Sequence, residues 1–304
     1  MISLLKCFHK SGLPQSGRTK HEQQPFCNWK KGGNQKMEIL VFIKQVPDDQ
    51  VDIRLDAASG APMLDGVESI VNAFDTYALE MAARFVEAHG GSITVASIGD
   101  DSVAASIKNC LAVGADKGFL IKDALFEGSD PAAKAYILSK AVSKLEEMNQ
   151  TKYDIIFTGR EATDYAKGQV SILLGEVLGV AAVTDVIGVD PADGGVEIKQ
   201  MTDSGYNRIG APVPCVVAVA KPDYDPRYPT IKSKMKARKA SVPVISAADL
   251  GVEADKAGSA GSLTKVLGMH EPAKRQAGIK VQEESVEDTV AKAVAIITEA
   301  KVFS

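Results

Sequence analysis

From residue 37 onward, short runs of β-favouring apolar residues alternate with stretches of helical period, and this alternation limits the fold class more than any other feature. Residues 38–43 (EILVFI), 92–98 (SITVASI), 118–121, 153–157 and 215–220 each read as a short strand. Runs apolar on both faces are typical of parallel strands covered by helices. Between them, residues 74–88 put Tyr77, Met81, Phe85 and Ala88 on one stripe. Residues 102–111 follow Asp101 as a cap, and residues 131–148 open on Pro131 with Asp130 before it. Such residues suit the free N–H groups and the fixed φ of a helix start. The alternation predicts an α/β fold, a doubly wound, mostly parallel Rossmann-like sheet. Sheets of this kind bind ligands beyond the carboxyl ends of their strands.

Two regions break the pattern. Residues 51–64 read as an early β-hairpin with period-two alternation, inserted after the first strand at that same edge. After residue 250, residues 251–261 are small and polar, a linker, and residues 263–267 read as a strand. Ser285-Val286-Glu287-Asp288 is a capping-box-like start to a last helix, whose Val286, Val290, Val294 and Ile297 form one stripe. This tail has too few apolar residues for a core of its own. It packs either on its own sheet or on another subunit.

Charge divides the chain of 304 residues at the first strand. Residues 1–36 hold seven Lys/Arg and one acid, Glu22, so they carry +6 of a net −4 and leave the other 268 residues with −10. Cys7, Cys27, His9, His21 and the single tryptophan, Trp29, also lie there. Lys30-Lys31-Gly32-Gly33 can be encoded by codons that spell a purine-rich ribosome-binding sequence, three codons before Met37. Residues 1–36 are therefore expected to be a leader from a mis-called start, a disordered tail or a targeting segment. Residues 37–250 are expected to form the α/β domain and 251–304 an arm. The acidic balance lacks the basic stripe of a nucleic-acid binder. No apolar run approaches the roughly 18–20 residues that span a bilayer.

The familiar catalytic signatures are absent. There is no G-x-G-x-x-G after a strand, no P-loop, no G-x-S-x-G, no H-E-x-x-H and no C-x-x-C. His89 falls at a helix end, where a cation suits the dipole. Cys110 and Cys215 sit in apolar runs as small core residues. No catalytic side chain and no metal site is expected, so any redox chemistry belongs to a bound cofactor.

Three segments could meet a ligand. Lys44-Gln45-Val46-Pro47-Asp48 follows the first strand, and a solvated turn lysine is the plainer reading. Asn72 or Asp75 would be ordinary caps of the first helix, whose free N–H groups also suit an anion. Thr158 to Asp164 follows the fourth strand, with Gly159 for a close turn and Arg160 able to pair a phosphate bidentately. A fourth segment, residues 225–239, is basic through Arg227, Lys232, Lys234, Lys236, Arg238 and Lys239. It is either a solvated face or a docking surface.

Taken in order, K-Q-V-P-D, N-A-F-D-x-x-A-L-E, L-A-V-G-A-D-K, F-T-G-R-E-A-T-D and P-R-Y-P-T-I-K-S-K-M-K-A-R-K resemble the β subunit of electron-transfer flavoprotein from Met37 to near the C-terminus. The resemblance implies an adenine-nucleotide α-hydrolase-like fold and an α-subunit partner embraced by the C-terminal arm. It also implies a nucleotide site at Phe42, Asn72, Ala73, Phe74, Asp75, Ile98, Gly159, Arg160, Glu161, Ala162, Thr163, Asp164, Gln169 and Val170. The basic segment corresponds to the family's partner-recognition loop, with Ile231 as apolar anchor among Tyr228, Lys234, Met235 and Lys236.

K-Q-V-P-D and Gln169-Val170 look like the electron-bifurcating group. That group implies FAD in this site, taking hydride from NADH. One electron then goes to ferredoxin or flavodoxin, and the other goes through the α-subunit FAD to an acyl-CoA dehydrogenase. The respiratory-type alternative implies a structural AMP and delivery to a quinone reductase. Tyr165-Ala166-Lys167-Gly168 and residues 203–208 depart from the segments usual in the bifurcating group. The resemblance also implies a cytoplasmic, bacterial setting.

Overall fold

The computed structural model describes residues 36, 37–56, 58–271 and 278–301. Residues 1–35 of the expected leader lie outside the described residues. The chain opens with β1 (Met37–Phe42), β2 (Gln45–Pro47), β3 (Ser69–Val71) and α1 (Ala73–His89). It continues through β4 (Gly91–Ile98), α2 (Val103–Val113), β5 (Lys117–Ile121), α3 (Pro131–Asn149), β6 (Ile155–Gly159) and α4 (Val170–Leu178). Then come β7 (Ala181–Ala192), β8 (Gly195–Thr202), β9 (Gly205–Pro212), β10 (Cys215–Val219), α5 (Ile231–Arg238) and β11 (Val244–Ile245). The short α6 (Ala247–Leu250) and α7 (Gly258–Gly261) precede the last helix, α8 (Val286–Glu299).

Among the described residues the main sheet has nine strands in the order β11-β5-β4-β1-β6-β10-β7-β8-β9. The strands from β11 to β7 pair in parallel, which bears out the doubly wound α/β expectation. Successive residues point to opposite faces, and both faces are covered. Ile39 and Val41 of β1 pack with Leu79, Ala82 and Phe85 of α1 and Ile107 of α2. Leu40 and Phe42 pack on the other face with Ile137, Ala141 and Leu145 of α3 and Leu174 of α4. Cys110 and Cys215 are buried core residues, and burial pushes both thiols up to about 12.

The last two strands of the sheet are antiparallel and were not expected. β7 pairs with β8 and β8 with β9. The local signal is Asp193-Gly194 between the first two, with Gly194 at φ 78°. An Asp-Gly pair between two runs is a two-residue hairpin turn.

Three local expectations need correcting. The hairpin over 51–64 is reduced to one bridge, Leu55 to Pro62. Val51, Ile53, Met63 and Leu64 are all exposed, so no buried face enforces a register. The antiparallel pairing lies instead at the base of the insertion, between β2 and β3. Residues 263–267 form no strand, because Asp130 Oδ2 takes the N–H groups of Leu263 (2.9 Å) and Thr264 (2.8 Å). Asp101 does not cap α2. Asp100 accepts from the Ser102 N–H at 2.8 Å, while Asp101 pairs with Lys122 at 2.7 Å. Asp130, by contrast, caps α3 as expected, accepting from the N–H groups of Ala132 and Ala133.

The described chain divides into two compact units. One takes in the residues up to Gln50 together with Val67–Lys265. The other takes in Val51–Gly66 and the residues from Val266 on. Within the second, the Leu55 N–H donates to Glu271 at 3.2 Å. Ser285 accepts from the Asp288 N–H to start α8, whose Val286, Val290, Val294 and Ile297 stand exposed.

Candidate functional site

β1 and β6 lie side by side at the centre of the sheet. The helices that follow them leave toward opposite faces, α1 to one and α4 to the other. Beyond the carboxyl ends of two such strands an α/β sheet has its ligand crevice. The chain's own hydrogen bonds build the floor of that crevice.

Asp75, in the first turn of α1, ties the two strand ends together. Its Oδ2 accepts from the Lys44 N–H at 2.6 Å, and its Oδ1 from the Gly159 N–H at 2.9 Å. Asp75 is buried, and burial raises its carboxyl to about 7 against the lowering effect of its hydrogen bonds. Gly159 is required by space. A Cβ there would stand 2.3 Å from Asp75 Oδ1 and 2.8 Å from Phe74 Cβ.

Asn72 sits at the cap position of α1 but makes no side-chain cap bond. It reaches across to the loop after β6. Its Nδ2 donates to the Glu161 carbonyl at 2.8 Å, and its Oδ1 accepts from the Thr163 N–H at 3.1 Å. The plain capping reading of Asn72 and Asp75 is therefore replaced. Both side chains bind the loop and strand ends instead.

Lys44 is not a solvated turn lysine either. Its ammonium pairs with Asp164 and lies 5.1 Å from the centroid of the Tyr165 ring. Arg160 is held between Glu161 (3.5 Å) and Asp185 (3.4 Å), 5.7 Å from the centroid of the Phe74 ring. Asp185 has φ 55° at a register shift between β7 and β10. α4 begins at Val170 after Gln169, and no side chain caps it. An uncapped helix start presents free N–H groups and a partial positive charge to an anion.

Phe42 and Ile98 end β1 and β4 at the same edge, Asn72 to Asp75 start α1, and Gly159 to Asp164 leave β6. Gln169 and Val170 start α4. The residues singled out from the sequence thus come from three strand ends and two helix starts at one edge of the sheet. Sequence reasoning took Thr158 only as part of its loop and missed Ser171. Thr158 Oγ1 and Ser171 Oγ are buried without a hydrogen-bond partner among the described residues. No pattern in the sequence marks an orphaned hydroxyl. Among the described residues there is no group of His, Cys, Asp and Glu able to hold a metal ion.

The basic segment is held at its base. Arg227 donates to buried Glu80 from its N–H (3.1 Å) and its Nε (2.7 Å), and also pairs with Glu87. Burial works to raise the Glu80 carboxyl, but the bonds from Arg227 and Arg84 outweigh it and hold the group below its ordinary value. Beyond this anchor, Tyr228, Ile231 and Met235 are exposed, with Lys234 and Lys236 beside them.

Residues 64–250 match the family model described as "Electron transfer flavoprotein domain". The chain is 37% identical over 243 residues to the "Electron transfer flavoprotein subunit beta" of Thermoanaerobacterium thermosaccharolyticum, spanning 80% of this chain and 91% of that one. It is 33% identical over 250 residues to the protein of the same description from Megasphaera elsdenii, spanning 82% and 92%. It is also 33% identical to "Protein FixA" of Azorhizobium caulinodans, spanning 79% and 86%.

Proposed function

The chain belongs to the electron-transfer flavoprotein family as a beta subunit, and from that premise we propose that its crevice holds FAD in a subunit of the electron-bifurcating type. NADH is the reductant in this reading. Ferredoxin or flavodoxin is one acceptor, and an acyl-CoA dehydrogenase is the other through an α-subunit FAD. The observation that carries the nucleotide site is the bonded floor of Asn72, Asp75 and Gly159 together with the uncapped start of α4.

The residues present fit a nucleotide. The α4 start and Arg160 offer donors to phosphate. Thr158 and Ser171 bring two buried hydroxyls in need of partners. Lys44, Asp164 and Tyr165 make a polar and aromatic edge. FAD supplies both two-electron and one-electron redox chemistry when bound. The chain positions it through backbone and side chains that do not react themselves. The runs Lys44-Gln45-Val46-Pro47-Asp48 and Gln169-Val170 support FAD over AMP.

The arm with the exposed stripe of α8 suits the α subunit. Tyr228, Ile231, Lys234, Met235 and Lys236 suit docking of the dehydrogenase through apolar anchors in a basic rim. Among the described residues no helix is long and apolar enough to cross a membrane, and we place the complex in the cytoplasm.

Counting nucleotides in the purified αβ complex tests the reading. Two FAD per heterodimer, with flavin bleaching by NADH under anaerobic conditions, is the expected result. One FAD and one AMP would overturn bifurcation and leave the respiratory-type carrier, which delivers to a quinone reductase.

A further inference from the structure

Lys134 is a half-buried cation without an anion. It stands in the first turns of α3, where its N–H makes the helix's opening bond to the Asp130 carbonyl at 2.9 Å. Its ammonium has no hydrogen bond or ion pair among the described residues, and its electrostatic surroundings are Lys44, Asp164 and Asp130. Burial, and then the charge of Lys44, lower its pKa.

Both nearby carboxylates are already in use. Asp164 pairs with Lys44. Asp130 Oδ1 caps α3, and its Oδ2 takes the Leu263 N–H and both donors of Thr264. A half-buried ammonium left unpaired is costly. A bound anion would offset that cost.

Two further orphans lie on the same face of the sheet. Thr158 follows Ile156 by two residues in β6, so it shares the face that Ile156 packs against α3 and α4. Its Oγ1 is buried and has no partner. Ser171 stands one turn before Leu174, which packs into that same layer, and its Oγ is likewise buried and unpartnered. α3 and α4 pack side by side. One cation near Lys44 and Asp164, two unpartnered hydroxyls and an uncapped helix start thus lie on the α3 and α4 face of the sheet.

We propose that Lys134, Thr158 and Ser171 form an anion subsite that takes a phosphate group of the nucleotide bound in the crevice. The inference rests on the nucleotide reading above and adds to it a set of specificity residues. The recognised chemistry is a phosphate ester on adenosine, which AMP and FAD share.

The test uses the αβ complex stripped of nucleotide and titrated calorimetrically with AMP, FAD and adenosine. Lys134→Met should weaken AMP and FAD by about 10- to 100-fold, the scale of a charge-assisted hydrogen bond, and leave adenosine unchanged. Thr158→Val and Ser171→Ala should each weaken the same two ligands by about 3- to 10-fold. Loss with FAD alone would place the flavin-side phosphate at Lys134, and equal loss with both would place the adenosine-side phosphate there.

A second readout separates binding from structure. Removing an unpaired half-buried charge should leave the thermal midpoint of the stripped complex unchanged or raised, whereas a structural lysine would lower it. Wild-type affinity of Lys134→Met for AMP and FAD, parallel loss of adenosine, or a lowered midpoint would each overturn the inference. A wild-type complex that binds none of the three ligands would instead overturn the nucleotide reading beneath it.

Discussion

Asn72 occupies a helix cap position, yet its side chain caps no helix N–H and reaches the loop after β6. Replacing it by Ala removes the donor to the Glu161 carbonyl and the acceptor for the Thr163 N–H. At about 0.5–1.5 kcal/mol for each bond, with more for groups left unsatisfied, the loss comes to about 2–3 kcal/mol. The informative variant is Asn72→Asp. As a helix cap, Asp is equivalent to Asn, so a capping role predicts almost no change. In the observed geometry Asp keeps the acceptor for Thr163 but sets a carboxylate oxygen against the Glu161 carbonyl, where a 2.8 Å bond stood. The residue is also buried, so the new charge is desolvated. Asn72→Asp is therefore expected to cost at least as much as Asn72→Ala. Urea unfolding of the purified protein gives the global effect. Amide hydrogen exchange at Thr163 gives the local one, with an expected acceleration of about 30- to 100-fold in both variants. An Asn72→Asp protein that unfolds like the wild type, with Thr163 exchange unchanged, would refute the cross-loop role.

Gly159→Ala would drive a Cβ into Asp75 Oδ1 and Phe74 Cβ. An overpacking cost of about 1–3 kcal/mol is expected in urea unfolding, with weakened nucleotide binding. Arg227→Met keeps the apolar stem but leaves buried Glu80 with Arg84 alone, at 2.6 Å. With Arg84 still paired to Glu80, a loss of about 1–3 kcal/mol is expected in urea unfolding, and no measurable loss would count against the anchoring role. Asp75 makes stability depend on pH. Its folded-state pKa, about 7, lies above the ordinary 3.8, so the folded protein retains a proton that the unfolded chain has lost. Stability should fall as pH rises from about 4 to 7, by at most about 4 kcal/mol, and then level off. Asp100, Asp123 and Asp130 are held below their ordinary values and act in the opposite sense only at the acid end. Asp75→Asn should abolish the slope between pH 5 and 7 in urea midpoints, and a slope that persists in that variant would exclude Asp75 as its source.

The parallel half of the sheet was legible because burial on both faces leaves a continuous apolar run, as in Leu40-Val41-Phe42, that little else in a soluble chain produces. The antiparallel half was not. β7 contains Gly188 and Pro191, and β9 is mostly exposed, so neither carries a clear period. Only Asp193-Gly194 marked a turn, the one between β7 and β8. The hairpin expected over 51–64 failed for the opposite reason. Its alternation was present, but alternation specifies a strand only when one face has something to bury against. At the site, residue types pointed to strand and helix ends that the fold brings to one edge of the sheet. The partners could not be read, because a cap-position Asn looks the same in sequence whether it serves its own helix or a loop about 90 residues away.

That ambiguity bears on how the crevice is made. At a central strand pair whose helices depart to opposite faces, nothing in the sheet itself fixes the distance between the two strand exits. Here one carboxylate does so, bridging the N–H groups that follow β1 and end β6. It is desolvated to do it, which is why its pKa stands near neutrality. A carboxylate in the floor would repel an anionic ligand unless cations faced it from the walls. In the proposed nucleotide site, Lys44 after β1, Arg160 after β6 and Lys134 on α3 would supply them. Lys44 and Arg160 are each partly engaged by neighbouring carboxylates, and Lys134 is not. The proposed anion subsite therefore falls at Lys134, on the face where the two hydroxyls also lack partners.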